Sequence, residues 1–251
     1  MLSMLSILFI FGLILGSFYY TAGCRIPLHL SIIAPRSSCP FCRRTLTPAE
    51  LIPILSFLFQ KGKCKSCGHR ISFMYPAAEL VTACLFAAAG IRFGTSLELF
   101  PAVVFISLLI IVAVTDIHFM LIPNRILIFF LPFLAAARLI SPLDSWYAGL
   151  LGAAAGFLFL AVIAAITHGG VGGGDIKLFA VIGFVLGVKM LAAAFFFSVL
   201  IGALYGAAAV LTGRLAKRQP LPFAPAIAAG SILAYLYGDS IISFYIKMAL
   251  G

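Results

Sequence analysis

The chain has 251 residues, 63% of them hydrophobic and 10% charged, and its mean hydropathy of +1.19 excludes a soluble globular domain, whose composition is about half apolar. Lipid is therefore the solvent for most of it. The formal charge of +10 would suit a polyanion, but Lys and Arg also gather in the cytoplasmic loops of membrane proteins, so no direct nucleic-acid partner is expected.

In chain order, the first apolar run covers 4–21 and has neither a basic leading region nor a convincing cleavage site, so it reads as a retained span rather than a signal peptide. A polar stretch, 23–75, follows. Further apolar runs lie at 76–91, 99–116, 125–140, 146–167, 176–190, 191–212 and 222–239, each near the length of about 20 residues that crosses a bilayer. The division between the last run but two and its successor rests only on Val188-Lys189-Met190. These runs predict an all-α, polytopic membrane bundle of about eight spans with a small cytoplasmic insertion. The expected organisation is a first span at 1–22, a cysteine-rich subdomain at 23–75 and a membrane-embedded bundle at 76–251.

With the N-terminus outside, inner segments hold 13 of the 17 basic residues, among them Arg125, Lys177, Arg214, Lys217 and Arg218. The outer side keeps Arg92, Arg138, Lys189 and Lys247 and receives Glu98, Asp144 and Asp239. This asymmetry predicts a multi-pass cell-membrane protein with the polar subdomain in the cytoplasm.

Some 50 residues bury too little apolar surface to be stable alone, so the subdomain should carry a staple. Cys39-Pro40-Phe41-Cys42 and Cys64-Lys65-Ser66-Cys67 supply one: two C-x-x-C knuckles separated by 21 residues, the four-thiolate pattern of a structural zinc ribbon. Cys39, Cys42, Cys64 and Cys67 are the expected ligands of a structural Zn2+; two disulfides are the competing reading, disfavoured in a reducing compartment. His69 adjoins the second knuckle, but four thiolates already complete a tetrahedral shell. Cys24 and Cys84 read as packing residues. The run 51–60 is too short to span and should pack on the bundle or lie in the interface.

Of four aspartates, Asp144 and Asp239 fall in predicted outer loops, whereas Asp116 ends the third span and Asp175 opens the sixth after Gly169-Gly170-Val171-Gly172-Gly173-Gly174. Both inner aspartates lie at one membrane level. Ionisable groups at the edge of an apolar run usually face a bundle interior or a watered cavity. Singly, Asp175 could cap a helix and Asp116 could pair with Arg125. Together they fit peptide hydrolysis, in which two carboxylates share one proton, activate water and polarise the scissile carbonyl; no fixed acid or base identity belongs to either. Gly172 and Gly174, lacking Cβ atoms, would let a substrate backbone approach Asp175, though the run could equally be a hinge. His118 and His168 adjoin the aspartate segments and are candidates to tune them; His29 carries no signal.

The pieces resemble the type IV prepilin peptidases, intramembrane aspartyl proteases with an Asp before a short loop and a Gly-x-Gly-Asp. Here these are Asp116 ahead of Leu121-Ile122-Pro123-Asn124, and Gly172-Gly173-Gly174-Asp175 followed by Ile176-Lys177. The likeness extends to Gly16-Ser17-Phe18, Arg25-Ile26-Pro27, both knuckles, Tyr75-Pro76 with Glu79, and Pro222-Phe223-Ala224-Pro225, and is strongest with the late-competence branch of Gram-positive bacteria. It implies Asp116 and Asp175 as catalytic residues, prepilin-like or pseudopilin membrane precursors as substrates, and cleavage after a glycine at the cytoplasmic face. Many members also methylate the new N-terminus with S-adenosylmethionine; Glu79 resembles a family acid and is a candidate for binding substrate or donor amines, with an ion pair to Arg70 as the alternative. Tyr20 and Leu51 depart from asparagines of the family pattern. Two rival readings are a transporter, which would place charges at midplane, and a non-catalytic scaffold with a zinc-stapled domain.

Overall fold

The computed structural model describes residues 2–34, 36–213 and 221–250, with side chains to Met248. Arg214, Lys217 and Arg218, assigned above to an inner loop, lie outside the described residues. The described elements are helical: α1 (Leu2–Arg25), a 3-10 turn (Pro48–Leu51), α2 (Leu55–Phe59), α3 (Met74–Phe93), α4 (Leu99–Phe119), α5 (Asn124–Ile140), α6 (Ala148–Ile166), α7 (Gly173–Leu211) and α8 (Ala224–Leu250). Two isolated bridges, Ser38 with Thr45 and Lys63 with Arg70, are the extended pairings among them. The chain divides into two compact units, Met1–Leu99 and Phe100–Gly251.

In the first unit α1 and α3 pack through small residues. A Cβ on Gly16 would lie 2.7 Å from the Glu79 Cα, and one on Gly12 would meet the Ala83 backbone, the close approach by which helices associate where lipid removes a hydrophobic drive. The polar segment hangs between these helices. Arg25 ends α1 and donates to the Ser31 carbonyl at 3.1 Å. The run 51–60 is not one helix: it forms the 3-10 turn, a sharp bend at Pro53-Ile54, and the five-residue α2. The bend is a γ-type turn, with the Leu55 amide donating to the Pro53 carbonyl and Ile54 at φ 59°, ψ −52°, a strained conformation for a β-branched residue.

In the second unit α6 lies against α7 through Gly149, Gly152 and Gly156, where any Cβ would strike the carbonyls of Phe184, Gly183 and Phe179. At 39 residues α7 would extend roughly 58 Å as a straight helix, well beyond a hydrocarbon core of about 30 Å. It is broken at Gly187, with φ 70° and ψ 171°, a region open essentially to glycine alone. Thus 173–186 and 188–211 are two arms, and the break falls at Gly187, ahead of the Val188-Lys189-Met190 interruption and of the boundary expected between 190 and 191. Among the described residues, six helices are long and apolar enough to cross a membrane; α5, at 17 residues, is shorter, and α7 carries two of the predicted runs. The predicted passes are therefore all helical.

Two placements differ from expectation. Asp239 and Lys189 lie within α8 and α7 rather than in loops, joined by an exposed ion pair of 3.0 Å, which lets both helices continue past a charge. The third run extends to Phe119, so Asp116 sits one turn inside α4 rather than at its end.

Candidate active site

Asp116 is brought to its position by the end of α4. Met120, at φ 51°, stops the helix and returns its amide to the Asp116 carbonyl at 2.9 Å. The carboxylate is buried, 7% exposed, and accepts the Ala224 backbone N–H at 2.8 Å, with the Phe223 amide directed at the same group. Ala224 is the first residue of α8, so the free N–H groups and positive end of that helix address Asp116. The Phe223 ring rests on Gly202 of α7, where a Cβ would come within 2.6 Å of it. Pro222-Phe223-Ala224-Pro225 thus starts a helix at a carboxylate. The bonding atoms of that tetrapeptide are backbone, so its side chains carry no sign of this role.

Asp175 is the third residue of α7, after the N-cap Gly172, and is half-buried. Its carboxylate faces the Gly172 amide, and its Oδ2 lies 3.2 Å from where a Gly172 Cβ would stand. Asp175 therefore does cap its helix, but that does not exhaust it: the Asp116 and Asp175 carboxylates also interact electrostatically. The loop after Asp116 meets the glycine run. Ile122 packs on Gly174, whose Cβ would lie 2.9 Å from the Ile122 Cβ, and Lys177 Nζ donates to Asn124 Oδ1 at 3.0 Å. The two aspartate segments are tied on both sides. No ion pair joins Asp116 to Arg125 among the described residues.

The glycines divide the work differently from the expectation. Gly174 is filled by Ile122 and Gly172 by Asp175 itself, whereas Gly173 has nothing within 4 Å of its Cβ position. The open face beside Asp175 therefore belongs to Gly173, and the close packing at Gly174 speaks for a fixed segment rather than a free hinge. His118 and His168 are both exposed.

In the first unit the four thiols of Cys39, Cys42, Cys64 and Cys67 lie within 4.8 Å of one another and are free. Separations of 3.7 Å (Cys39 to Cys67) and 4.0 Å (Cys42 to Cys64) match the roughly 3.8 Å edge of a tetrahedron with Zn–S bonds of about 2.3 Å, so the donor set fits zinc. The knuckles repeat each other: Cys39 and Cys64 amides donate to the Arg44 and His69 carbonyls, both at 2.9 Å, and Arg43 and Gly68 turn at positive φ. Amides of Cys42 and Phe41 hold the Cys39 thiol below its usual range. Those of Cys67 and Ser66 draw Cys64 down to about 6. Cys67 is pushed up to about 11 despite the His69 amide, by burial and neighbouring thiols, since so many thiolates need a cation to coexist. His69 is not in the cluster; it stacks on Phe41 with ring centroids 4.9 Å apart.

Two acids complete this unit. Glu50 is buried and takes a two-pronged bond from Arg44, at 2.7 and 3.1 Å, and the Thr47 amide at 2.9 Å. Arg44, then the Thr47 amide, hold its carboxyl down at about 2. Glu79 does not pair with Arg70: its carboxylate accepts the Ile54 N–H at 2.7 Å and a bond from Ser17. This locates the Gly16-Ser17 and Tyr75-Pro76 motifs at one junction, where Gly16 admits α3 and Ser17 meets its acid.

Comparison with known proteins agrees with the division of the chain. The family model for the bacterial peptidase A24 N-terminal domain matches residues 10–93, and that for the type IV leader peptidase family matches 103–207. A prepilin leader peptidase/N-methyltransferase of Aeromonas salmonicida (strain A449) is 30% identical over 98% of this chain and 94% of its own length. One from Myxococcus xanthus (strain DK1622) is 38% identical over 84% of this chain and 65% of its own, and one from Klebsiella pneumoniae is 35% identical over 74% and 86%. No solved structure gives a significant match. The chain belongs to the type IV leader peptidase family, as a multi-pass membrane enzyme of the peptidase class.

Proposed function

We propose that this chain is an intramembrane aspartyl endopeptidase that removes the leader from type IV prepilin-like precursors at the cytoplasmic face, with Asp116 and Asp175 as the catalytic pair. The observation that carries the reading is the geometry of the two aspartate segments, whose helix ends are tied by Ile122 on Gly174 and by Lys177 on Asn124. Two carboxylates that share a proton can direct a water at a peptide carbonyl and protonate its oxygen in one step. The α8 N-terminus fixes Asp116 through Ala224, the Gly172 amide fixes Asp175, and Gly173 leaves room for a substrate backbone. The leader-bearing precursor, a single-span membrane protein, would present its junction here. We assign the substrates to competence pseudopilins on the likeness of sequence given above.

Cys39, Cys42, Cys64 and Cys67 would hold one zinc, which when bound supplies structure rather than chemistry, because a four-thiolate shell is closed. The relatives named above are N-methyltransferases by name as well as leader peptidases, and S-adenosylmethionine-dependent methylation of the new N-terminus is the second activity assigned to this chain. Glu79 enters it as a positioning residue, since its carboxylate is committed to Ile54 and Ser17. A transporter would carry its charges at midplane, whereas Asp116 and Asp175 stand within one turn of helix ends.

The test is co-expression of a pseudopilin precursor with the wild type and with Asp116→Asn/Asp175→Asn, followed by intact mass of the substrate. Loss of the leader with the wild type alone supports the protease, and one further methyl group supports the transferase. Unchanged precursor beside folded wild type favours the scaffold reading.

A further inference from the structure

We propose that the cysteine-rich subdomain docks on an anionic lipid surface, through the apolar face of α2 and the cations that follow it. On α2, Leu55, Leu58 and Phe59 recur at helical spacing (i, i+3, i+4) and are exposed, Phe59 at 82%, and Leu51 and Ile52 just before the bend are exposed as well. The inward residue is Phe57, which packs on Gly62 and against the Phe73 ring, centroids 6.2 Å apart. An outward apolar face on a single short turn of helix is costly in water and suited to the boundary between headgroups and acyl chains.

The place of α2 along α3 is fixed independently. The Ile54 amide at the start of α2 is bonded to Glu79, the sixth residue of α3. At about 1.5 Å per residue this is roughly 7.5 Å along a spanning helix from its first residue, within the depth of about 5–10 Å at which interfacial helices lie.

Charge identifies the surface. Residues 24–75 hold eight Lys and Arg against one acid, and that acid, Glu50, is committed to Arg44. Lys61 and Lys63 follow α2 directly, both exposed, and Lys63 stands opposite Arg70 on an isolated bridge. Like charges directly opposite destabilise such a pair, and a layer of lipid phosphates offsets that cost. Each lysine near an anionic bilayer contributes about 1 kcal/mol, or about fivefold in the docked-to-undocked ratio.

The experiment uses the full chain in nanodiscs. Trp146 is the single tryptophan, so Phe59→Trp in a Trp146→Phe background makes a lone reporter, with Leu58→Trp as a second reporter should the first fail to fold; bound zinc checks the fold. In bilayers of brominated phosphatidylglycerol and phosphatidylcholine the reporter should be quenched. Lys61→Gln/Lys63→Gln, or removal of the anionic lipid, should lower the docked-to-undocked ratio by about 25-fold and by at least as much, respectively. A solvent-like, unquenched reporter in the anionic bilayer overturns the proposal. So does quenching indifferent to both the lysines and the lipid charge, which would mean that the face is covered by protein or by apolar burial alone.

Discussion

Replacing Gly174 with alanine tests how tightly the two aspartate segments are coupled. The new Cβ would stand 2.9 Å from the Ile122 Cβ and 3.4 and 3.5 Å from its two outer carbons. Carbon atoms prefer about 3.5–4.0 Å, so one segment must move by about 0.6–1.1 Å. Overpacking of this kind costs about 1–3 kcal/mol, which a membrane bundle can absorb, but Asp175 is the next residue, and a misplacement of about 1 Å at reacting groups can lower a rate on the order of a hundredfold. Gly174→Ala should therefore cleave a leader-bearing precursor about 10- to 100-fold more slowly, with kcat falling more than KM rises and with zinc content unchanged. Ile122→Gly added to Gly174→Ala removes the Cβ that the new methyl would strike and should recover a large part of the loss. The assay is steady-state cleavage in proteoliposomes. Full activity in Gly174→Ala, or a double mutant no better than the single, would refute the coupling of the segments through this contact.

Ala224→Pro removes the N–H that Asp116 accepts at a helical position that tolerates proline; bonds to charged groups are worth about 1.5–3 kcal/mol, so cleavage should slow by tenfold or more with the helix content unchanged by circular dichroism. Cys39→Ser should lower zinc from one per chain towards none by metal analysis and should make 24–73 the first segment cut by protease. Glu50 is depressed to about 2 in the folded protein, below an ordinary value of about 4.3. Its contribution to stability is thus complete above about pH 4.3 and lost as pH falls through about 2. Glu50→Gln should remove that part of the acid dependence, read as the difference between wild-type and mutant unfolding midpoints across this window.

The candidate residues were legible because charged and thiol side chains are rare in an apolar chain. Two aspartates at one membrane level and four cysteines at knuckle spacing stand out by type and position, and the thiols do converge. What was illegible involves backbone or fit. The donor to Asp116 is the Ala224 amide, which no side chain announces. The separate duties of Gly172, Gly173 and Gly174 depend on what lies opposite each missing Cβ. Glu79 has Ile54 rather than Arg70 as its partner, because a strained turn at Pro53-Ile54 brings an amide to it, and a proline in a short apolar run does not specify that turn. Hydropathy also stopped the sixth and eighth runs near their charges, whereas the Lys189–Asp239 pair lies within α7 and α8.

The central claim is tested most directly by purified Asp116→Asn and Asp175→Asn single mutants, each reconstituted beside the wild type with a leader-bearing pseudopilin and followed by intact mass. Both mutants should leave the precursor whole while binding zinc and melting as the wild type does. Leader removal by either single mutant at a rate near that of the wild type would contradict a shared aspartate pair.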